Sequence, residues 1–599
     1  MCGIVGYIGK LQASDVILKG LHKLEYRGYD SCGIDLFNND TNDFVLYKDK
    51  GRVKHLQDDF DYDFDNHLGI GHTRWATHGA PNHINAHPHT SVSERFVVVH
   101  NGVIDNYKEL IAKYLVGYTF ISETDTEVIA NLIESFAASF DVDIAIRKTL
   151  ALLEGSYALL IIDTRNPNII YAGKNKSPLI IGKRKDGICL ASDLMALVGV
   201  SDEYYLIEDK TFVKAEIFGD GYDFQMYDSV GIEFVTDRNE VSLNAEEINK
   251  GGYPHYMLKE ICEQPSVIRK IISNYAVDNI FHIRQDVLDL FANKKRIYII
   301  AAGTSYHAGL LGKVYFEQIS NIPTEVFIAS EFAYNIPLLE KDALFILISQ
   351  SGETADLRAC LLEIKKLGYK SLTITNVKTS TLAREATDYL EIFAGTEIAV
   401  ASTKAYVGQV TVLAIVASAL TNVNKCNLLS ELGRLAIAME AIIDRRDYIQ
   451  ELIKTRLIKR NCFYIGRGID YYTCLEASLK LKEISYIQTE GFAAGELKHG
   501  TIALIEEGVP VIAIITQKHI NKNTRSNIQE VKARGADVIV ISTNDIKEND
   551  DDIVLMDVHE MLSPILAVIP TQLIAYYKAL DLGRDIDKPR NLAKSVTVE

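Results

Sequence analysis

The sequence predicts an α+β layered domain at the front of the chain, followed by two α/β units built on parallel strands. Three observations predict this. Up to about residue 240 the chain reads as short apolar runs broken by glycine and polar turns, at 3–8, 33–37, 96–99, 157–163 and 169–172. Helical periodicity appears over 14–24 and 125–140, so helices packed on mixed strands are expected. From residue 285 one design recurs. An apolar strand at 295–301 runs into Gly303-Thr304-Ser305, and another at 460–465 runs into Gly466-Arg467-Gly468. Strands at 343–349 and 509–516 echo each other in the same way, at a spacing of roughly 165 residues, which marks an internal repeat. Between the parts, Gly251, Gly252 and Pro254 break the pattern and place a boundary near residue 245. The expected organisation is 1–240, a linker and helical lead-in at 241–284, repeat units at 285–425 and 426–588, and a tail at 589–599.

At 599 residues the chain exceeds a single core. The net charge of −17 disfavours nucleic acid and anionic membrane as partners, while a local pocket could still take a small anion. Eight cysteines stand at 2, 32, 189, 262, 360, 426, 462 and 474, without a CxxC pair. The longest apolar run, near 410–420, is far short of the ~20 residues of a membrane span. No signal pattern opens the chain, and a reducing cytoplasm is expected. The imidazoles at 72, 78, 83, 87, 89 and 100 match no zinc spacing, and neither Walker A nor GxGxxG occurs, so no metal and no cofactor is expected.

Cys2 directly follows Met1. Removal of Met1 is expected to give Cys2 a free α-amine, whose pKa of ~7.7–8.0 suits a built-in base far better than lysine at ~10.4. Further polar groups stand at Glu25 to Ser31, at 71–79 with Arg74 and Trp75, at His100-Asn101-Gly102 after a short apolar strand, and at Ser122 to Glu127. Taken singly, Ser122 or Thr124 reads as a helix cap and Asn-Gly as a hairpin turn. Together, Cys2-Gly3-Ile4-Val5-Gly6, Tyr26-Arg27-Gly28-Tyr29-Asp30-Ser31, Gly71-His72-Thr73-Arg74-Trp75-Ala76-Thr77, His100-Asn101-Gly102 and Glu123-Thr124-Asp125-Thr126-Glu127 resemble the N-terminal-nucleophile, or class II, glutamine amidotransferases. The resemblance implies an αββα glutaminase domain. It makes Cys2 the nucleophile and gives the oxyanion hole to Asn101 and Gly102. Glutamine would be bound by Arg74 at its carboxylate and Asp125 at its ammonium, with Trp75, Thr77, His78 and His87 around it. Trp75 reads equally as core or gate, and Cys32 stands where alanine is expected.

In the repeat, strand ends carry Gly303-Thr304-Ser305, Ser349-Gln350-Ser351-Gly352-Glu353-Thr354 and Ala401-Ser402-Thr403-Lys404. Hydroxyls and backbone N–H groups at such loops suit phosphate, and ligands of parallel sheets bind beyond the carboxyl ends of strands. The pattern resembles paired sugar isomerase domains. With 479–485, 494–500 and the tail 588–599, the whole chain resembles the isomerizing glutamine–fructose-6-phosphate aminotransferases, of bacterial length. Thr501 and Ala302 depart from the family pattern without removing a reacting group. The resemblance implies glutamine and fructose 6-phosphate as substrates and a homodimer through the sugar half. It assigns ring opening to His499, an imine to Lys594 and proton transfer to Glu483, with Lys480 one turn away. Glu476 belongs to the same helical face. The phosphate and sugar hydroxyls fall to Thr304, Ser305, Ser349, Gln350, Ser351, Thr354, Val400, Ser402 and Ala593. Lys594 must lose a proton to react, so a desolvated pocket or a nearby cation is expected. Two other readings stay open: a different class II amidotransferase, and a noncatalytic phosphosugar sensor.

Overall fold

The computed structural model describes residues 2–75, 79–219, 221–241, 249–278, 280–421 and 426–597. It divides into two units, Met1–Ile248 with Ser595–Glu599, and Asn249–Lys594.

The first unit stacks two antiparallel sheets. One runs Arg238–Glu240, Glu203–Leu206, Ile180–Arg184, Gly187–Ala191, Gly3–Gly9, Leu68–Arg74, Ser31–Asn38 and Asp43–Lys50. The other runs Glu233–Phe234, Gly221–Tyr227, Thr211–Phe218, Ile169–Asn175, Gly155–Asp163, Phe96–Ile104 and His89–Thr90. Strand alternation explains why the apolar runs are continuous rather than alternating. Val97 and Val99 face the core between the sheets with Ile4, Ile8, Leu68 and Ile70, while Phe96 and Val98 face the helices Thr126–Ala137 and Val142–Leu152. Ala13–Leu24 covers the first sheet, its Ile17 and Leu21 lying against Gly71. The layers are αββα.

His100-Asn101-Gly102 does not end a strand. Phe96–Ile104 continues through it, pairing Asn101 with Ala158 and Gly102 with Tyr157. Gly102 has φ +146°, and a Cβ there would lie 1.9 Å from the Ser156 carbonyl oxygen, so this strand passes only with glycine.

The second unit holds two five-stranded parallel sheets with the same strand order, 2-1-3-4-5. The first runs Thr324–Ile328, Arg296–Ala301, Ala343–Ser349, Lys370–Thr375 and Asp388–Glu391. The second runs Gln488–Ala493, Asn461–Gly466, Pro510–Ile515, Asp537–Thr543 and Ile553–Leu555. One apolar cluster joins them, taking Ile299 and Ile346 from one sheet and Ile512 and Ile539 from the other. Helices Lys404–Ala419 and Ser563–Asp581 are buried almost end to end within it. The long apolar run near 410–420 is therefore a core helix. Among the described residues no helix is long and apolar enough to cross a membrane. The helix after Ala301 begins at Gly303, whose φ of +55° turns the chain at once.

Helix Tyr256–Tyr275 opens this unit, and its end is capped from far away. Both carboxylate oxygens of Asp587 accept N–H groups of the first turn, Oδ2 from Tyr256 and Oδ1 from Met257, each at 2.9 Å. Lys250 adds an ion pair at 3.5 Å. This ties the tail to the helix that starts the unit. Asp587→Ala should cost about 1–2 kcal/mol, read as a lower thermal midpoint of the full chain.

Candidate active sites

In the first unit the end of Leu68–Arg74 brings Trp75 beside Cys2. The Trp75 N–H donates to Cys2 Sγ at 3.2 Å, and Asn101 Nδ2 donates to the Cys2 carbonyl at 3.0 Å. His72 Nε2 lies 3.1 Å from Asn101 Oδ1 and fixes that carboxamide. A small cleft is lined by Cys2, Arg74, Trp75, His87, His100, Gly102, Thr124, Asp125 and Thr126. Burial raises the Cys2 thiol, and the Trp75 N–H and Arg74 oppose this. Arg74 and Asp125 are both nearly fully buried on the same cleft. A guanidinium and a carboxylate so placed suit the two charged ends of an α-amino acid. Asp125 Oδ2 is held by the Ile104 N–H at 2.8 Å. Asp125 is itself the residue flanking helix Thr126–Ala137, while Ser122 and Thr124 serve Glu127 and His89 rather than the helix end. Trp75 is half-buried and meets Tyr29 edge-on at 6.1 Å. Thr77 and His78 lie outside the described residues.

His87 stacks on His72 at 4.1 Å and its Nδ1 accepts the His100 N–H at 3.2 Å. Burial, then the neighbouring cations and imidazoles, drive His87 and His89 well below the usual histidine range, and His72 down to about 3. These rings are neutral and act as hydrogen-bonding groups.

In the second unit, helix Ile469–Ser485 presents three charged groups on one side. Lys480 Nζ lies 2.5 Å from Glu483 Oε2, 2.8 Å from Thr304 Oγ1 and 3.5 Å from Glu476 Oε1. Thr304 in turn donates to Glu476 at 3.1 Å, and His307 pairs with the other Glu476 oxygen at 2.7 Å. Burial alone would lower Lys480, but Glu483 and Glu476 outweigh it and hold the ammonium charged. Gln409 donates to Ser305 Oγ at 3.0 Å. Ser349 Oγ and Thr354 Oγ1 are 2.9 Å apart, Ser349 Oγ accepts the Gly352 N–H, and Ser351 Oγ accepts the Glu353 N–H. Gln350 is half-buried, and its carbonyl accepts the Asn376 N–H at 3.1 Å.

Lys594 ends the unit with its side chain 4% exposed, paired with the fully buried carboxylate of Glu397. The pocket is desolvated as expected, but the group facing the lysine is an anion. The basic tail residue Arg590 is turned away, its guanidinium 4.3 Å from the Tyr486 ring and its N–H on the Tyr486 hydroxyl. Glu397 also acts electrostatically on Lys480, so the two clusters are within reach of each other. Val400 is buried, Ser402 donates to Glu397 at 2.8 Å, and Ala593 is half-buried beside Lys594. His499 is exposed on the short turn Glu496–His499 and makes no contact with these groups among the described residues.

Four neighbours escaped sequence reasoning: Glu397, Glu260, His307 and Gln409. Glu260 carried a signal, since it falls on the stripe of Met257, Ile261, Gln264 and Ile268 that the helix buries.

The neutral imidazoles give a pH dependence with a definite sign. Their folded pKa values lie below the unfolded value of about 6.5, so their contribution is complete above that pH and is lost as pH falls below it. The thermal midpoint should therefore drop between pH 7.5 and pH 5, and His89→Asn should flatten that drop.

The family models agree with this division. A "Glutamine amidotransferase domain" matches residues 37–218, and a "SIS domain" matches 290–419 and again 458–581. A solved C-terminal domain of glucosamine-fructose-6-phosphate aminotransferase from Francisella tularensis shares 37% identity with a TM-score of 0.55, covering 57% of this chain and 99% of its own. The isomerizing glutamine–fructose-6-phosphate aminotransferases of Bacillus licheniformis and Listeria monocytogenes are each 52% identical, over the whole of both chains. The chain belongs to the family of isomerizing glutamine–fructose-6-phosphate aminotransferases.

Proposed function

We propose that the chain converts glutamine and fructose 6-phosphate to glutamate and glucosamine 6-phosphate. The single observation that carries this reading is the presence, on one chain, of the Cys2 cleft, the buried Lys594–Glu397 pair and the Lys480–Glu483 pair that Glu397 acts on. Arg74 and Asp125 hold the carboxylate and ammonium of glutamine, and Cys2 attacks its amide carbon. The oxyanion is received by Asn101 Nδ2 and the Gly102 N–H. The Asn101 amide also donates to the Cys2 carbonyl. With Met1 removed, the Cys2 α-amine takes the thiol proton and returns it to the departing ammonia. Intact-mass analysis of active enzyme should show a chain beginning at Cys2, and retained Met1 would sink this role of the amine.

Ammonia released into bulk water is protonated and lost, so the coupled reaction requires its transfer to the sugar. The loops of Thr304, Ser305, Ser349, Gln350, Ser351 and Thr354 take the phosphate and hydroxyls, with Val400, Ser402 and Ala593 completing the pocket. His499 opens the ring, an assignment made on family resemblance alone. Lys594 holds C2 as an imine until ammonia replaces it. Glu483, anchored by Lys480, moves a proton from C1 to C2. We assign the enzyme to the cytoplasm, which suits its eight free thiols. Assembly as a homodimer through the sugar half has support in the apolar side chains exposed at Ile328, Tyr334 and Leu338.

The two sites should separate on mutation. Lys594→Ala should abolish aminosugar synthesis and keep glutamate release. Asn101→Ala should slow glutamate release by about 100-fold to 1,000-fold, the usual loss for one oxyanion donor. Synthesis by Lys594→Ala at near-normal rate would overturn the imine.

A further inference from the structure

Glu397 is buried with all its acceptor positions in use. Oε1 accepts the N–H groups of Thr403 at 2.9 Å and Ala405 at 3.0 Å. Oε2 accepts the Ser402 hydroxyl at 2.8 Å and the Lys594 ammonium. Two of these partners lie on the loop before helix Lys404–Ala419 and the third in its first turn, so the carboxylate cannot swing without undoing that segment. The loop is pinned in turn. Glu260 Oε1 accepts the N–H groups of Ile398 at 2.6 Å and Ala399 at 3.1 Å, and the Val400 N–H donates to the Asp587 carbonyl at 3.0 Å. A long, flexible lysine is thereby held at its reacting atom by an anion of fixed position.

We propose that Glu397 is the positioning residue of Lys594 and the fixed counterion of the imine that Lys594 forms with the open ketose, an inference that rests on the imine assigned above. The charge balance favours such a partner. An ammonium and a ketone give a protonated imine and water. The nitrogen–C2 bond forms, and both carbon–oxygen bonds at C2 break. The oxygen leaves as water with two of the three ammonium protons, and the third stays on nitrogen. The positive charge at nitrogen is the same before and after, so a carboxylate that never changes protonation serves both states. Any proton lost from nitrogen before attack returns with the departing oxygen.

Glu397 is built to stay ionised. Burial would raise its pKa, but Lys594 and the Ala405 and Thr403 N–H groups pull it below the ordinary glutamate range. Glu260 is pushed the other way, by burial and by the charge of Glu397, and its buried Oε2 has no hydrogen-bond partner among the described residues. Lys404, the other cation near this pair, is taken by Glu263 at 2.7 Å.

The test combines kinetics with borohydride trapping of the fructose 6-phosphate adduct, located on Lys594 by peptide mass. In Glu397→Gln the synthase kcat should fall about 100-fold, a loss typical of one preorganised charged contact, with the KM for the sugar within about threefold. Trapping should slow at least tenfold, and glutamate release without sugar should be unchanged. Glu397→Asp keeps the charge but withdraws it by one methylene, so its kcat should lie between wild type and Glu397→Gln. Equal losses in the two variants, or a trapping rate equal to wild type in Glu397→Gln, would overturn the counterion. If Glu397→Gln does not fold, Glu397→Asp decides: a kcat within threefold of wild type overturns the proposal. Absence of any adduct in the wild type would instead overturn the imine itself, and this proposal with it.

Discussion

The second unit depends on one buried ion pair, Lys594 with Glu397. A lysine near the end of a chain would normally lie in water. Burying its ammonium costs several kcal/mol unless an anion meets it with good geometry and further hydrogen bonds. Glu397 meets that demand only because the 397–405 loop folds around it, and the loop keeps its shape through Glu260 on one side and the tail at Asp587 on the other. Asp587 also caps the helix that begins the unit. The first helix, the central loop and the last residues are therefore one polar lattice, and Lys594 is its terminus.

The first unit solves a different problem. Cys2, the proposed nucleophile, immediately precedes the first strand Gly3–Gly9, while Asn101 and Gly102, proposed to receive the oxyanion, sit on the other sheet. Strand Phe96–Ile104 connects the two needs by lying flat against the inter-sheet core and running on through Asn101 and Gly102. The close approach of Gly102 to Ser156 leaves no room for a side chain, so the strand stays straight where a turn would have carried Asn101 away. His72 then orients the Asn101 amide, and burial keeps that imidazole neutral. Packing and chemistry are served by the same strand.

Much of this was legible in the sequence, for physical reasons. Apolar runs and their spacing gave strands with packed helices in the first unit and the repeat of the second, because strand period and glycine loops are local signals, whereas the pairing of two sheets came from the family resemblance. Lys480 and Glu483 were legible as a pair because helical spacing fixes their contact. Asn101-Gly102 misled, since a dipeptide that favours turns was held extended by its partner strand. Glu397 was not legible: its role comes from a loop closing on itself and from a lysine 197 positions away. The sign of the Lys594 environment was lost for the same reason, as the neighbouring basic residue Arg590 is drawn off by Tyr486. His499 illustrates the converse. Its motif is plain in the sequence, yet its side chain is exposed and makes no hydrogen bond or ion pair with the Lys480 and Lys594 clusters among the described residues.

The central claim is that the nitrogen released from glutamine is the nitrogen that the sugar receives. It is tested most directly by giving the enzyme fructose 6-phosphate and glutamine labelled at the amide nitrogen, in buffer holding excess unlabelled ammonium. The account predicts labelled glucosamine 6-phosphate in near one-to-one yield with glutamate, and none from Cys2→Ala. Unlabelled aminosugar, or glutamate released without aminosugar, would contradict it.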